Sequence, residues 1–271
     1  MHRTKEWPLP EFATFSAERA VQRNRHGNVL RLPFLAPSLP VGEPPAQELF
    51  LARAESHLLR TFKRILDIVA SLLGLGIFAL VLPIIGLMIK LDSPGPVFYV
   101  QNRVGINRRR RRQGARDQLD RRKVLRPGRP FKIWKLRTMR ADAEMNGPQW
   151  AAKGDTRVTR VGRVLRRTRL DEVPQFINVL RGDMSLIGPR PERLCFIHKL
   201  EKQVPHYRDR LLVLPGITGL AQVVNGYDDS LESVLRKVDL DRQYIRSCSL
   251  LMDLRIILKT IKVVLTGEGA N

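Results

Sequence analysis

Only two cysteines, Cys195 and Cys248, occur in the 271 residues. Without nearby Cys or His partners they outline neither a disulfide framework nor a zinc site, so a reducing, cytosolic setting is expected. The five histidines (His2, His26, His57, His198 and His206) show no HExxH or related ligand spacing and read as surface or packing residues. Acidic groups are scarce as well: 26 Asp/Glu stand against 48 Lys/Arg, a net charge of +22. A cationic partner is thereby excluded in favour of phosphate head groups, nucleotides or nucleic acid. Aromatic residues make up 6% of the chain, which leaves few rings on which exposed bases could stack. No internal repeat is present.

The positive charge is concentrated. Gln101 to Arg140 holds sixteen Lys/Arg against two Asp, and its arginine-rich part, 108–127, reads as an insertion between two strand-like pieces. The other concentrated feature is apolar: Ile68 to Ile89 runs for 22 residues without a charge. As a helix it would extend roughly 33 Å, about the thickness of a bilayer core. It lies too far from Met1 for a secretory signal and has no small-residue cleavage site. Arg60, Lys63 and Arg64 precede it, and Lys90 with the basic window follows it, so positive charge on both flanks frustrates the positive-inside rule for a single span. Pro83 lacks an N–H and clashes with the carbonyl four residues back, which predicts a kink or break. A helix that enters the membrane, bends at Pro83 and leaves on the same face reconciles these facts; a span kinked at proline is the alternative.

Residues 1–46 carry seven prolines and no sustained apolar period, the composition of a flexible tail. Residues 47–91 form a helical lead-in, 47–64, and the membrane helix. Residues 92–271 form the remaining domain. There, Asp92-Ser-Pro-Gly-Pro96 stops the helix, and Val97–Val100 and Pro130–Arg137 read as strands. Short helices are expected around Ala141–Glu144 and over Arg160–Arg167. Another starts at Pro191-Glu192 and runs toward Gln203, Ile217–Val224 reads as a strand, and helices over Ser230–Arg246 and Ser249–Leu265 close the chain.

The chemistry centres on Asp171-Glu172, enclosed by Arg166, Arg167 and Arg169 and followed by Pro174, which fits the first turn of a helix if Asp171 lies at or near its N-cap. An aspartate among free N–H groups and arginines stays ionised and can attack phosphorus to form an acyl phosphate. A second carboxylate beside it is repelled unless a cation intervenes, and with a diphosphate nearby that cation is Mg²⁺, held by Glu172 and Asp171. Arg190, between prolines in Gly188-Pro-Arg-Pro191, offers a pre-aimed phosphate fork. Lys135, Arg157 and Arg160 are further candidates for phosphate. Taken singly, an Asp-Glu pair is also an ordinary helix start, and Gly-Pro-Arg-Pro an ordinary rigid turn.

From about Phe62 to Ala270 the sequence resembles the bacterial sugar transferase family, monotopic phosphoglycosyl transferases. The resemblance rests on Lys63-Arg-Ile-Leu-Asp67, Asp92-Ser-Pro-Gly-Pro96, Gln101-Asn-Arg-Val-Gly105, Phe131-Lys-Ile-Trp-Lys-Leu-Arg-Thr-Met139, Asp155-Thr-Arg157 and Thr159-Arg-Val-Gly162. It continues through the long Asp171–Glu192 signature, Pro215-Gly-Ile-Thr-Gly219, Gln222, and Asp239, Tyr244 and Asp253. It implies an α+β, mostly helical cytosolic catalytic domain with short strands, anchored by one N-terminal re-entrant membrane helix at the bacterial inner membrane. It further implies transfer of a sugar 1-phosphate from a UDP-sugar to polyprenyl phosphate, with UMP released and Mg²⁺ as cofactor. Asp171 would be the nucleophile, Glu172 the metal ligand, and Arg166 and Arg190 contacts to phosphate or nucleotide. Membrane lipid is a partner on this reading and nucleic acid is not; a homo-oligomer stays open.

The sequence departs from that pattern in three places: Leu82 where relatives often carry Ser before the proline, Ala221 and Cys248 where they often carry tryptophan, and the basic insertion in place of a short turn. Two other readings are a membrane-tethered nucleic-acid-binding module, which leaves Asp171-Glu172 without a role, and a catalytically silent scaffold, for which the intact acidic pair gives no support.

Overall fold

The computed structural model describes residues 57–107, 127–145, 147–149, 154–225 and 230–266. The expected tail (1–46), most of the lead-in helix and nearly all of the basic insertion lie outside these residues. Among those described, helices dominate and strands are short.

The apolar run forms one helix, α1 (His57–Asp92), about 54 Å long at 1.5 Å per residue. It is helical on both sides of Pro83, so the expected break is not seen there. Phe78, Ile85 and Ile89 are buried with Leu136 and Leu165 in one cluster, and this packing holds both halves although Pro83 donates nothing to the Ala79 carbonyl. Gly74 permits the close approach of Phe176, whose ring would lie 2.4 Å from a Cβ at that position. The opposite face is bare: Leu73, Ile77, Leu80, Ile84, Leu87 and Leu91 are each 60–79% exposed. Their spacing of three and four residues makes one continuous stripe.

Both ends of α1 are tied to the same domain. At the first end, Lys63 Nζ donates to Asp253 Oδ2 at 2.5 Å and to the Tyr244 hydroxyl at 2.9 Å, while Arg64 donates to the carbonyls of Val179 and Leu180. Buried Asp67 accepts from Ser185 Oγ at 3.1 Å and from the Leu186 N–H at 2.9 Å. At the far end, the Arg137 guanidinium caps the carbonyls of Ile89, Ser93 and Pro94. Asp92 accepts from the N–H of Val161 at 2.8 Å.

Strand β1 (Phe98–Val104) pairs antiparallel with β2 (Pro130–Leu136), in register from Phe98↔Leu136 to Val104↔Pro130. Helix α2 (Arg160–Arg167) is capped by the Thr159 side chain. A 3-10 turn (Leu170–Gln175) leads into α3 (Phe176–Leu180) and β3 (Ser185–Ile187). After α4 (Leu194–Leu200) and a second 3-10 turn (Tyr207–Leu212), β4 (Gly216–Thr218) pairs parallel with β3. Helices α5 (Leu220–Val224), α6 (Leu231–Ser247) and α7 (Leu250–Thr266) follow. The Ser230 side chain accepts from the Ser233 N–H and the Ser233 side chain from the Ser230 N–H, a capping box that starts α6 where the sequence places it.

Three expectations are corrected. Ile217–Val224 is a strand only to Thr218. Gly219 then accepts from Val223 N–H, and α5 turns Leu220 and Ala221 into the core. Ala141–Glu144 forms successive turns rather than a helix, with N–H groups bonding three residues back. The helix expected from Pro191 starts at Leu194, because the Glu192 backbone bridges to Val104. The acidic pair lies in the first turn of its helix as expected, with the cap position taken by Arg169 in the left-handed region at φ 59°.

Replacing Asp67 by Ala would strand the Leu186 N–H and Ser185 hydroxyl inside the protein at a cost of about 1–3 kcal/mol for each buried group. Thermal unfolding in detergent should fall by about 5–10 °C, with a smaller fall for Asp67→Asn; an unchanged midpoint for Asp67→Ala would contradict the anchoring role.

Candidate active site

The sequence around Arg190 is held by its backbone. Strand β3 runs into Gly188-Pro-Arg-Pro191, and four successive carbonyls accept a hydrogen bond: Pro189 from Gly216 N–H at 3.0 Å, Arg190 from Arg210 Nη2 at 3.0 Å, Pro191 from Arg103 Nη1 at 3.2 Å and Glu192 from Val104 N–H at 3.0 Å. Gly188 lies so close to β4 that a Cβ there would sit 2.3 Å from the Leu214 carbonyl oxygen. Arg190 is thereby aimed without reliance on its own side chain. Its Nη2 donates to Glu172 Oε1 at 2.5 Å and its Nη1 to Oε2 at 3.3 Å.

Lys135 reaches the same carboxylate from β2, Nζ to Oε1 at 2.9 Å. Its strand is fixed to α3 by buried Asn178, which accepts from the Trp134 N–H at 3.1 Å and donates to the Lys132 carbonyl at 2.7 Å. Glu172 is thus clamped between two cations. Burial alone would raise its pKa, but Arg190 and then Lys135 outweigh that and hold it well below the ordinary range.

Asp171 is 6% exposed, and its Oδ1 has no hydrogen-bond partner among the described residues. Burial, then the neighbouring Glu172 charge, pushes its pKa up to about 6, against the opposing pull of Lys135, Arg166 and Arg190. Two adjacent carboxylates therefore differ in kind: one is saturated by cations, the other is desolvated and bare. A partnerless carboxylate oxygen beside cations that can turn toward phosphate is suited to nucleophilic attack.

Of the residues singled out from sequence, Asp171, Glu172, Lys135 and Arg190 come together. Arg166 acts on Asp171 electrostatically and donates from Nε to Thr138 Oγ1 at 2.9 Å. Arg157 is committed elsewhere: it forks onto Asp155, Nε to Oδ1 at 2.8 Å and Nη2 to Oδ2 at 2.5 Å, and also donates to the Ala143 carbonyl. Arg160 is exposed at the first position of α2, where its charge acts on Asp92. The structure brings neither to Glu172.

Sequence reasoning missed the buried network behind Arg190. Glu192 accepts from Lys237 at 3.0 Å and from Arg103 at 3.3 Å; Arg210 donates to Asp241 Oδ2 at 2.6 Å and to the Tyr207 hydroxyl at 2.9 Å. A signal was available: Lys237 and Asp241 are spaced i, i+4 and interrupt the apolar face of α6 beside Val234 and Val238. Polar groups in an apolar stripe need partners from elsewhere in the fold.

Comparison with known proteins now bears on this arrangement. The family model for bacterial sugar transferases matches residues 58–267. The chain belongs to the bacterial sugar transferase family. It is 44% identical over 209 residues to an Aeromonas hydrophila UDP-N-acetylgalactosamine-undecaprenyl-phosphate N-acetylgalactosaminephosphotransferase; the match covers 77% of this chain but 45% of that relative, so the chain spans about half its length. It is 39% identical over 237 residues to a Caulobacter vibrioides UDP-glucose:undecaprenyl-phosphate glucose-1-phosphate transferase, covering 85% of this chain and 81% of the relative. It is 37% identical over 214 residues to an exopolysaccharide production protein of Rhizobium leguminosarum bv. phaseoli, covering 76% and 97%.

The buried charge on Asp171 carries a stability cost. Its folded pKa lies above the unfolded value, so the cost is absent below about pH 4, grows toward pH 6 and is complete above it, on the order of 2–3 kcal/mol. Asp171→Asn should therefore raise the unfolding midpoint at pH 7.5 and leave it nearly unchanged at pH 4. Equal midpoints at both pH values would show that the carboxylate is not desolvated.

Proposed function

We propose that the protein transfers a sugar 1-phosphate from a UDP-sugar to polyprenyl phosphate, with Asp171 as the nucleophile, as a membrane step in surface polysaccharide or glycan synthesis. The observation that carries this reading is the unpartnered, buried Asp171 Oδ1 beside a Glu172 carboxylate clamped by Lys135 and Arg190. Asp171 Oδ1 attacks the β-phosphorus, the bond to the bridging oxygen breaks, and UMP leaves with the electron pair. An oxygen of the polyprenyl phosphate then attacks the same phosphorus, expels the Asp171 carboxylate and carries the sugar phosphate away as a lipid-linked diphosphate. Lys135 and Arg190 neutralise the diphosphate as it enters, exchanging part of their hold on Glu172 for phosphate oxygens.

Mg²⁺ fits this centre. Among the described residues no three Asp, Glu, His or Cys side chains gather into a full metal cage. Mg²⁺ needs only one or two protein carboxylates when phosphate oxygens complete its shell, and Glu172 beside the buried Asp171 carboxylate meets that need, with Asp171 Oδ1 kept for the attack. Glu172, with Asp171, would hold the ion, which when bound supplies charge neutralisation at the diphosphate.

The lipid acceptor places the reaction at a bilayer. The exposed stripe of α1 supports this, since that much bare leucine and isoleucine is unfavourable in water by roughly 1.5–3 kcal/mol per side chain. In our reading α1 enters one leaflet of the bacterial inner membrane and does not cross it, with the catalytic domain on the cytoplasmic side. Polar anchors at both ends, Arg64 to α3 and Arg137 to the Ile89–Pro94 carbonyls, favour this over a span, because a spanning helix would place the elements bonded to its two ends on opposite sides of the bilayer. Nucleic acid is not a partner on this account.

Purified protein in detergent with Mg²⁺, a set of UDP-sugars and polyprenyl phosphate should release UMP, and Asp171→Asn should lower that rate at least ~1,000-fold, the scale expected when a covalent nucleophile is removed. Undiminished UMP release by the variant would remove Asp171 from the nucleophile's role.

A further inference from the structure

The reacting centre continues into a polar rim to which the mechanism gives no part. Tyr99 on β1 is the direct cross-strand partner of Lys135 on β2, so their side chains share one face of the hairpin. Two residues along, Gln101 lies on that same face, and its Nε2 donates to the Tyr99 hydroxyl at 2.9 Å and to Glu144 Oε1 at 3.2 Å. Arg193, three residues beyond Arg190, forks onto Glu144, Nη1 to Oε1 at 2.7 Å and Nη2 to Oε2 at 3.3 Å. Arg103 lies within electrostatic reach of Arg190, Arg193 and Tyr99, which sets the rim beside the phosphate-facing arginine. Arg157, expected from sequence to touch phosphate, instead donates to the Ala143 carbonyl and so steadies the turn that carries Glu144.

The chemistry of this rim is specific. Tyr99 is 37% exposed, the Glu144 side chain is 40% exposed, and an amide stands between them. We infer that Tyr99, Gln101 and Glu144 read the hexose of the donor, an assignment that rests on the sugar-phosphate transfer proposed above. A hexose presents several hydroxyl hydrogens, which a carboxylate attracts, and an apolar ring face that suits a half-exposed phenol ring. The uridine end presents fewer such donors, the uracil N3–H and two ribose hydroxyls, beside carbonyl oxygens that the same carboxylate repels. Arg193 holds Glu144 in place, and Gln101, its Nε2 committed to Tyr99 and Glu144, supplies its amide oxygen as an acceptor. A site that hydrogen-bonds a particular hydroxyl discriminates strongly against an epimer that misplaces it.

The test uses the full chain in detergent and compares wild type with Glu144→Gln and Gln101→Glu. Steady-state UMP release is measured with UDP-glucose, UDP-galactose and their N-acetylated counterparts, together with inhibition by UDP, which lacks the hexose. The expected result is at least a tenfold change in the ratio of kcat/KM between the best and second-best donors for one or both variants, with the UDP inhibition constant within twofold of wild type. An unchanged donor ratio in both variants would overturn the inference, as would weakening of UDP and of every donor by the same factor, which would assign the rim to the uridine end. If wild-type protein released no UMP from any donor, the transfer reaction itself would fall and this assignment with it, an outcome distinct from the other two.

Discussion

The clamp on Glu172 is the interaction on which the rest of the site depends. With Lys135 and Arg190 both spent on one carboxylate, the adjacent Asp171 is left buried beside a full negative charge with no partner for Oδ1. Buried like charges so close are unfavourable, and the fold tolerates them because the two cations come from elements that cannot relax away. Lys135 rides on a strand pinned by Asn178, and Arg190 on a segment whose four consecutive carbonyls are all engaged. Rigid elements thus maintain a centre that is locally costly, as expected where stability is given up for reactivity.

The same economy of anchoring joins α1 to the rest of the described domain. Helix α1 contributes Phe78, Ile85 and Ile89 to the domain's own core and presents leucine and isoleucine outward. Its polar residues flank the apolar run and bond to α3, β3, α6 and α7 at one end and to the Arg137 region at the other. Arg137 follows directly on β2, which also carries Lys135, so the strand that supplies a cation to Glu172 is the one that leads to the cap on the far end of α1. The paired carboxylates and the exposed apolar stripe of α1 are therefore fixed relative to one another, as the proposed transfer between a soluble donor and a lipid acceptor would require.

Local signals in the sequence were sufficient for the elements they control. The charge-free run, the cap at Thr159, the capping Ser230 and the alternation in Phe131–Leu136 each specify an element through short-range physics, and α2, α6 and β2 lie where those signals put them. Elements decided by distant packing were not legible. The β propensity of Ile217–Val224 lost, beyond Thr218, to burial of Leu220 and Ala221 against α6 and α7, and the expected helix at Pro191 lost to the bridge from Glu192 to Val104. At the site, Asp171, Glu172 and Arg190 were legible because they lie within one short signature. Lys135 was also named from sequence, although its reach to Glu172 depends on how β2 packs, and Asp155, two residues from Arg157, takes that guanidinium. The long-range ties of Arg210 and Lys237 follow only from the folded backbone.

The central claim is that Asp171 becomes covalently attached to the sugar phosphate. The most direct measurement is intact-peptide mass spectrometry of protein mixed with Mg²⁺ and a UDP-sugar, without lipid acceptor, and quenched in acid within milliseconds to seconds. A mass increase equal to one sugar phosphate, confined to the peptide containing Asp171, absent in Asp171→Asn and lost when polyprenyl phosphate is added, is the predicted result. UMP formation with an unmodified Asp171 peptide at every quench time would contradict it.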